Sequence, residues 1–156
     1  MSSRRSAALA TLLAMAFAIT VVAVAQATPA VGQHPSTPVI GTLADKSDVN
    51  TDRIKFQTKD PADVATFVVT YDPDGFSGWH RHPGILFVTV QSGSVIRTVG
   101  CSSATYGPGE TFIESDEQAV GAVRNASPTS DAVLSVTQVV PKGSARRFDA
   151  DPPNCP

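Results

Sequence analysis

His80 and His82 are two of the three histidines in the chain, and they sit in Gly78-Trp79-His80-Arg81-His82-Pro83-Gly84. Along a β-strand, residues two apart project from the same face. Such a pair places two imidazoles side by side, a common way to begin a divalent-metal site. Two ligands do not complete one, because catalytic zinc usually takes three from the protein. Glu110 and Glu114 are the nearest carboxylates near a later Gly-rich turn, Tyr106-Gly107-Pro108-Gly109. Four residues apart, they would share a face of one strand. Either would convert the pair into a two-histidine, one-carboxylate set suited to Fe(II). The third histidine, His34, is expected to be solvated. No Gly-x-Ser-x-Gly elbow and no phosphate-cradling Gly loop is present.

The elements that must position these groups read as β-strands. Short β-branched or aromatic runs fall at 39–43, 53–57, 65–71, 78–82, 85–91, 93–99, 110–114, 119–124 and 132–140. Breakers separate them: Asp72-Pro73-Asp74-Gly75, read as a turn, then Pro83-Gly84, Ser92-Gly93, Gly107-Pro108-Gly109 and Ala126-Ser127-Pro128. No sustained helical period appears beyond the N-terminal segment. About nine short strands at regular spacing predict an all-β sandwich or barrel.

The order of strand, turn, histidine pair, apolar strand, Gly turn and later Gly-x-Gly resembles the cupin family. Gly75, His80, His82 and Gly93 match its first motif. Tyr106-Gly107-Pro108-Gly109-Glu110 and Arg124-Asn125 match the second loosely. The resemblance covers about residues 62–142 and implies a double-stranded β-helix, a jelly-roll barrel, with one divalent metal (Fe, Mn, Zn, Ni or Cu) inside. It also implies a motif-one glutamate four residues after the second histidine and a motif-two histidine four residues before Asn125. Those positions are Leu86 and Gly121, neither of which can coordinate. The wider layout resembles small exported cupins of actinobacteria. Pairing of two chains through an edge strand is implied by the resemblance alone.

The first functional reading is therefore a small-molecule-binding cupin whose metal centre is reduced or lost, with no tightly bound metal. Its pocket is lined by His80, His82, Leu86, Val88, Gly121 and Val123, with Trp79 either at the mouth or packed in the core. A metal-dependent oxygenase or isomerase that recruits Glu110 or Glu114 is the alternative. A structural or interaction module is the third reading.

Residues 1–27 carry Arg4 and Arg5, an apolar run from Ala7 to Ala25 and an Ala25-Gln26-Ala27 step. This is the layout of a cleavable signal peptide, with an uncleaved anchor as the alternative. Residues 28–38 are expected to be a flexible lead-in, 39–142 the barrel, and 143–156 a C-terminal tail. Removing 27 of 156 residues leaves 129, one domain's worth. Taking Arg4 and Arg5 from the 12 basic residues leaves 10 against 14 acidic, net −4, which argues against nucleic acid as a partner. Nor is a membrane expected once the signal is removed. In an exported chain, Cys101 and Cys155, the only two cysteines, are expected to pair and staple the tail. Two free thiols or a cysteine-containing metal site is the alternative.

Overall fold

The computed structural model describes residues 28–115 and 120–155. The signal-peptide expectation for 1–27 lies outside them. Among the described residues there are thirteen strands and no helix. In chain order they are β1 Val31–Pro35, β2 Val39–Leu43, β3 Asp48–Asn50, β4 Lys55–Gln57, β5 Ala62–Phe76, β6 His80–Arg81 and β7 Ile85–Ser92. There follow β8 Val95–Val99, β9 Ser102–Tyr106, β10 Thr111–Ser115, β11 Gly121–Asn125, β12 Ala132–Pro141 and β13 Phe148–Asp149.

β10, β7, β12 and β5 lie side by side, and β1 and β2 add to the other edge of β5. β11 carries β8 and then β9 on one side, and β6 and then β13 on the other. A pairing of Phe76 with Arg124 joins the two runs. The all-β architecture expected from strand spacing, in the jelly-roll form that the resemblance implies, is thus present. β3 and β4 form a separate small hairpin.

Alternation sets the interior. On β12, Ala132, Leu134, Val136, Gln138 and Val140 are buried, and on β7 Leu86, Val88 and Val90 are. With Val69, Tyr71, Val95, Phe112 and Val123 they form one apolar cluster. Where β7 enters the sheet, Gly84 is needed because a Cβ there would collide with the Val139 carbonyl.

Three expectations are corrected. Residues 28–38 are no flexible lead-in: Val31–Pro35 pairs with β5, and Gln33 on it reaches the Tyr71 hydroxyl at 2.6 Å. Polar and Gly-Pro-rich, this segment shows no strand period; its order comes from the edge it covers. Asp72-Pro73-Asp74-Gly75 does not end a strand. Tyr71 faces Gln33 and Phe76 faces Val31, so four residues of β5 bulge opposite Gly32, with Asp74 at φ 58°. The tail is likewise partly strand, since β13 pairs with β6. Cys101 and Cys155 form the expected disulfide.

Candidate metal centre

His80 is buried on β6, and His82 follows just past its end. Their rings meet edge-on, 4.8 Å between centroids, as the two-residue spacing requires. Each ring is anchored by Nδ1. That atom is 2.8 Å from the Gly78 carbonyl in His80 and 2.7 Å from the Arg146 carbonyl in His82. A carbonyl only accepts, so Nδ1 carries the proton in both rings, and Nε2 is left to face the interior. Gln138, also buried, donates to the same Arg146 carbonyl at 2.6 Å.

The third member comes from β10. Phe112 and Glu114 point inward while Thr111, Ile113 and Ser115 are exposed. Glu114 Oε2 lies 3.3 Å from His82 Nε2 and 4.0 Å from His80 Nε2, and Oε1 lies 3.9 Å from Arg97 Nε. The ligand atoms of His80, His82 and Glu114 all fall within 4.8 Å of one another. Glu110, the other candidate, is excluded. It precedes the strand, is exposed, and uses Oε2 to accept from the Gly107 N–H at 2.6 Å.

Register explains how the carboxylate arrives. Glu114 stands directly opposite Leu86 in the β7–β10 ladder. Directly opposed residues of an antiparallel pair project from the same face. A carboxylate absent from position 86 is therefore available from one strand over, as the alternative that recruits Glu114 expects, while position 121 still offers no ligand. Gly121 is His80's partner on β11. A Cβ there would lie 3.2 Å from the Thr98 carbonyl, so the position has little room for a fourth ligand.

Charges and protons suit the arrangement. Burial is the main influence on His80 and, against the attraction of Glu114, pushes its pKa down from 6.5 to about 4. The ring is neutral at pH 7, its Nε2 lone pair available. Burial alone would raise the Glu114 pKa, but His82, His80 and Arg97 together bring it below its ordinary 4.5, so it is a carboxylate. His82 Nε2 is enclosed with no hydrogen-bond partner although Glu114 is near. Beside these groups, with Arg97 and Gly121 in its lining, lies a space of about 20 Å³. That volume suits one small ion or water. Two imidazole nitrogens and a carboxylate oxygen around such a space fit a divalent cation, and the carbonyls behind the rings are the usual outer support of metal-binding histidines.

The centre opens on a second cavity of about 200 Å³. Leu86, Val88 and Val123 line it as expected; Gly121 borders only the smaller space. Trp79 lines neither and packs edge-on against Phe76, 6.1 Å between centroids. Unanticipated in the lining are Gln33, Tyr71, Gln138, Arg146 and Arg147. Arg146 and Arg147 belong to a segment with no strand pattern, which the pairing of β13 with β6 and the hydrogen bonds of Arg146 and Arg147 hold over the barrel.

Fold and centre together define a cupin-fold domain, a double-stranded β-helix with a His-His-Glu cluster inside. A cupin-like protein from Thermotoga maritima superimposes with a TM-score of 0.50 at 17% identity, covering 57% of this chain and 65% of that one. A double-stranded β-helix protein from Klebsiella pneumoniae gives 0.48 at 19%, covering 73% and 84%. A DMSP lyase from Ruegeria pomeroyi gives 0.48 at 17%, covering 56% of this chain and 43% of that one, less than half its length. No family model matches the sequence, and no curated protein matches it.

Proposed function

We propose that this chain is an exported cupin domain that holds one divalent metal ion on His80, His82 and Glu114 and admits a small organic molecule to the adjoining cavity. The observation that carries this reading is the convergence of two imidazole Nε2 atoms and one carboxylate oxygen, with both Nδ1 atoms committed to backbone carbonyls. Structural zinc sites close with four protein ligands, whereas three leave positions open. The donor set thus favours a metalloenzyme over a passive binding module, with Fe(II), Mn, Zn or Ni the metals it suits. When bound, such an ion supplies a Lewis acid to an oxygen of the ligand. The protein's part is to hold the imidazoles in one tautomer, keep Glu114 ionised beside Arg97, and exclude water with apolar walls. Export is supported by the layout of residues 1–27 and by the Cys101–Cys155 disulfide. Among the described residues no helix is long and apolar enough to cross a membrane.

Metal analysis tests the proposal. Purified protein exposed to Fe(II), Mn, Zn, Ni and Cu should retain about one ion per chain. A His80→Ala/His82→Ala double variant and Glu114→Gln should lose it while still folding by circular dichroism. Metal at background in the wild type, or equal retention in the variants, overturns it.

A further inference from the structure

Among the described residues, the cavity wall holds one charged side chain with no ion-pair partner. Of the charged residues that line it, Glu114 is matched by Arg97 and the two imidazoles. Arg147 is committed to the fold, donating from Nη2 to the Ser77 carbonyl at 2.7 Å and from Nε to Asp149 Oδ1 at 2.7 Å. Arg146 is different. Its carbonyl is pinned by His82 and Gln138, so its backbone is fixed over the barrel. Its guanidinium carbon stands 6.0 Å from the centre of the Phe67 ring, in the cavity wall. Its Nη1 is shielded from solvent and has no acceptor among the described residues, although Arg146 as a whole is half-buried. A guanidinium stays charged and offers five donors in a flat fork. Leaving the shielded N–H without an acceptor carries a cost, and a ligand that supplies the acceptor removes it.

The remaining wall narrows the ligand class. Phe67, Val69, Leu134 and Val136 offer hydrocarbon and no hydrogen bonds from their side chains, while Gln33, Tyr71 and Gln138 already hydrogen-bond within the fold. The volume of about 200 Å³ corresponds to about seven waters' share of liquid, below the size of a drug-sized ligand site. One fork beside an apolar chamber matches a carboxylate on a short hydrocarbon body. A phosphate dianion would also pair with the fork, and it is therefore the competing anion in the test.

We propose that Arg146 is the anion-recognising residue of the cavity and that the ligand is a small aliphatic carboxylate. Its acid group meets the Arg146 guanidinium and its hydrocarbon lies against Phe67, Val69, Leu134 and Val136. This rests on the reading of the cavity as the ligand site and is separable from the metal. Because Arg146 also acts through its backbone carbonyl, a side-chain substitution leaves the support of His82 in place.

Calorimetric titration with isovalerate, its uncharged counterpart isovaleramide, and inorganic phosphate tests the proposal. Wild type, Arg146→Gln and Arg146→Lys would each be titrated with chelator and after metal loading, with metal content measured in parallel. Wild type should bind the acid about tenfold or more tightly than the amide, with or without metal. Arg146→Gln should bring the acid to the amide's level with amide affinity and metal content unchanged, and Arg146→Lys should restore part of the preference. If wild type carries no metal yet shows the Arg146-dependent preference, the acid subsite stands and the metal reading falls. Equal affinity for acid and amide, no binding of either at millimolar concentration, tighter binding of phosphate, or a preference that survives Arg146→Gln overturns the proposal.

Discussion

Two buried polar clusters share the interior of this barrel, and they are built on opposite terms. Around Asn125, 1% exposed, the side-chain valences are met. Its Nδ2 donates to the carbonyls of Ser130 at 2.7 Å, Asp72 at 2.9 Å and Tyr71 at 3.3 Å, and its Oδ1 accepts from the Ser127 N–H at 3.0 Å. The cluster ties the bulge of β5 to the loop after β11. Around His80, His82 and Glu114 the opposite holds: His82 Nε2, Arg97 Nε and Arg146 Nη1 are enclosed without hydrogen-bond partners among the described residues. A saturated buried network rigidifies a fold, while an unsaturated convergent one carries a cost that a ligand relieves. By that criterion Asn125 reads as structural, and the histidine cluster is the one that could hold an ion.

The sharpest difference is in what each cluster leans on. The Asn125 network is made by the barrel's own strands and turns. The open cluster depends on the segment after β12, which supplies the Arg146 carbonyl to His82 and pairs β13 with β6. The far end of that segment is held by the disulfide, which spans 54 residues. In the loop-entropy account, a closure of that length is worth about 4 kcal/mol. A Cys101→Ser/Cys155→Ser variant should lose about that much in urea unfolding. Its metal affinity should fall about tenfold because His82 loses its outer support. Metal affinity equal to wild type in a folded variant would detach the strap from the site.

Substitutions inside the two clusters should separate stability from binding. Asn125→Ala leaves the Tyr71, Asp72 and Ser130 carbonyls and the Ser127 N–H without this partner, Ser130 being exposed and Asp72 and Ser127 half-buried, so a loss of about 1 to 3 kcal/mol is expected, with metal binding retained below the unfolding transition. Glu114→Gln should abolish metal retention and also lower metal-free stability, by about 1 to 3 kcal/mol, since the carboxylate's pairing outweighs its burial and its loss leaves Arg97 facing no anion. Urea unfolding and metal analysis on both variants decide it. Metal binding lost in folded Asn125→Ala, or retained in Glu114→Gln, would break the division between the clusters.

The barrel and the histidine pair lay nearer to the surface of the sequence than the rest of the site did. Alternation along Ile85–Ser92 and Ala132–Pro141 and the Gly and Pro breakers made the barrel legible. The two-residue spacing also brought the imidazoles together as expected. Glu114 was visible as a candidate, but only the β7–β10 register, which puts it opposite Leu86, decides between it and Glu110. Register between strands separated in sequence depends on the whole sheet and leaves no local pattern. β1 and β9 escaped notice for a related reason. Val-Gly-Gln-His-Pro and Ser-Ser-Ala-Thr-Tyr bury little and are ordered by the neighbour they pair with. Arg146 had no signal at all, because its place over the cavity comes from pairing in the tail.

Acid should distinguish the clusters as well, with the smallest effect of the series. In chelated protein, His80 titrates at about 4 when folded against its ordinary 6.5, chiefly because it is buried. As pH falls below 6.5 the unfolded chain takes up a proton that the folded one refuses, so stability declines until His80 itself titrates near 4. Glu114 acts in the same direction at lower pH. Its folded pKa lies below 4.5, and the stability this confers is present above that value and lost as pH falls through the folded one. Taken to pH 4.5, the His80 contribution amounts to about 2 kcal/mol. The Asn125 network joins an amide to backbone groups and has no proton to gain. Urea unfolding at pH 7 and pH 4.5 should therefore show the decline in wild type and in Asn125→Ala alike, and a shallower one in His80→Gln. A decline as steep in His80→Gln as in wild type would place the acid sensitivity elsewhere in the barrel.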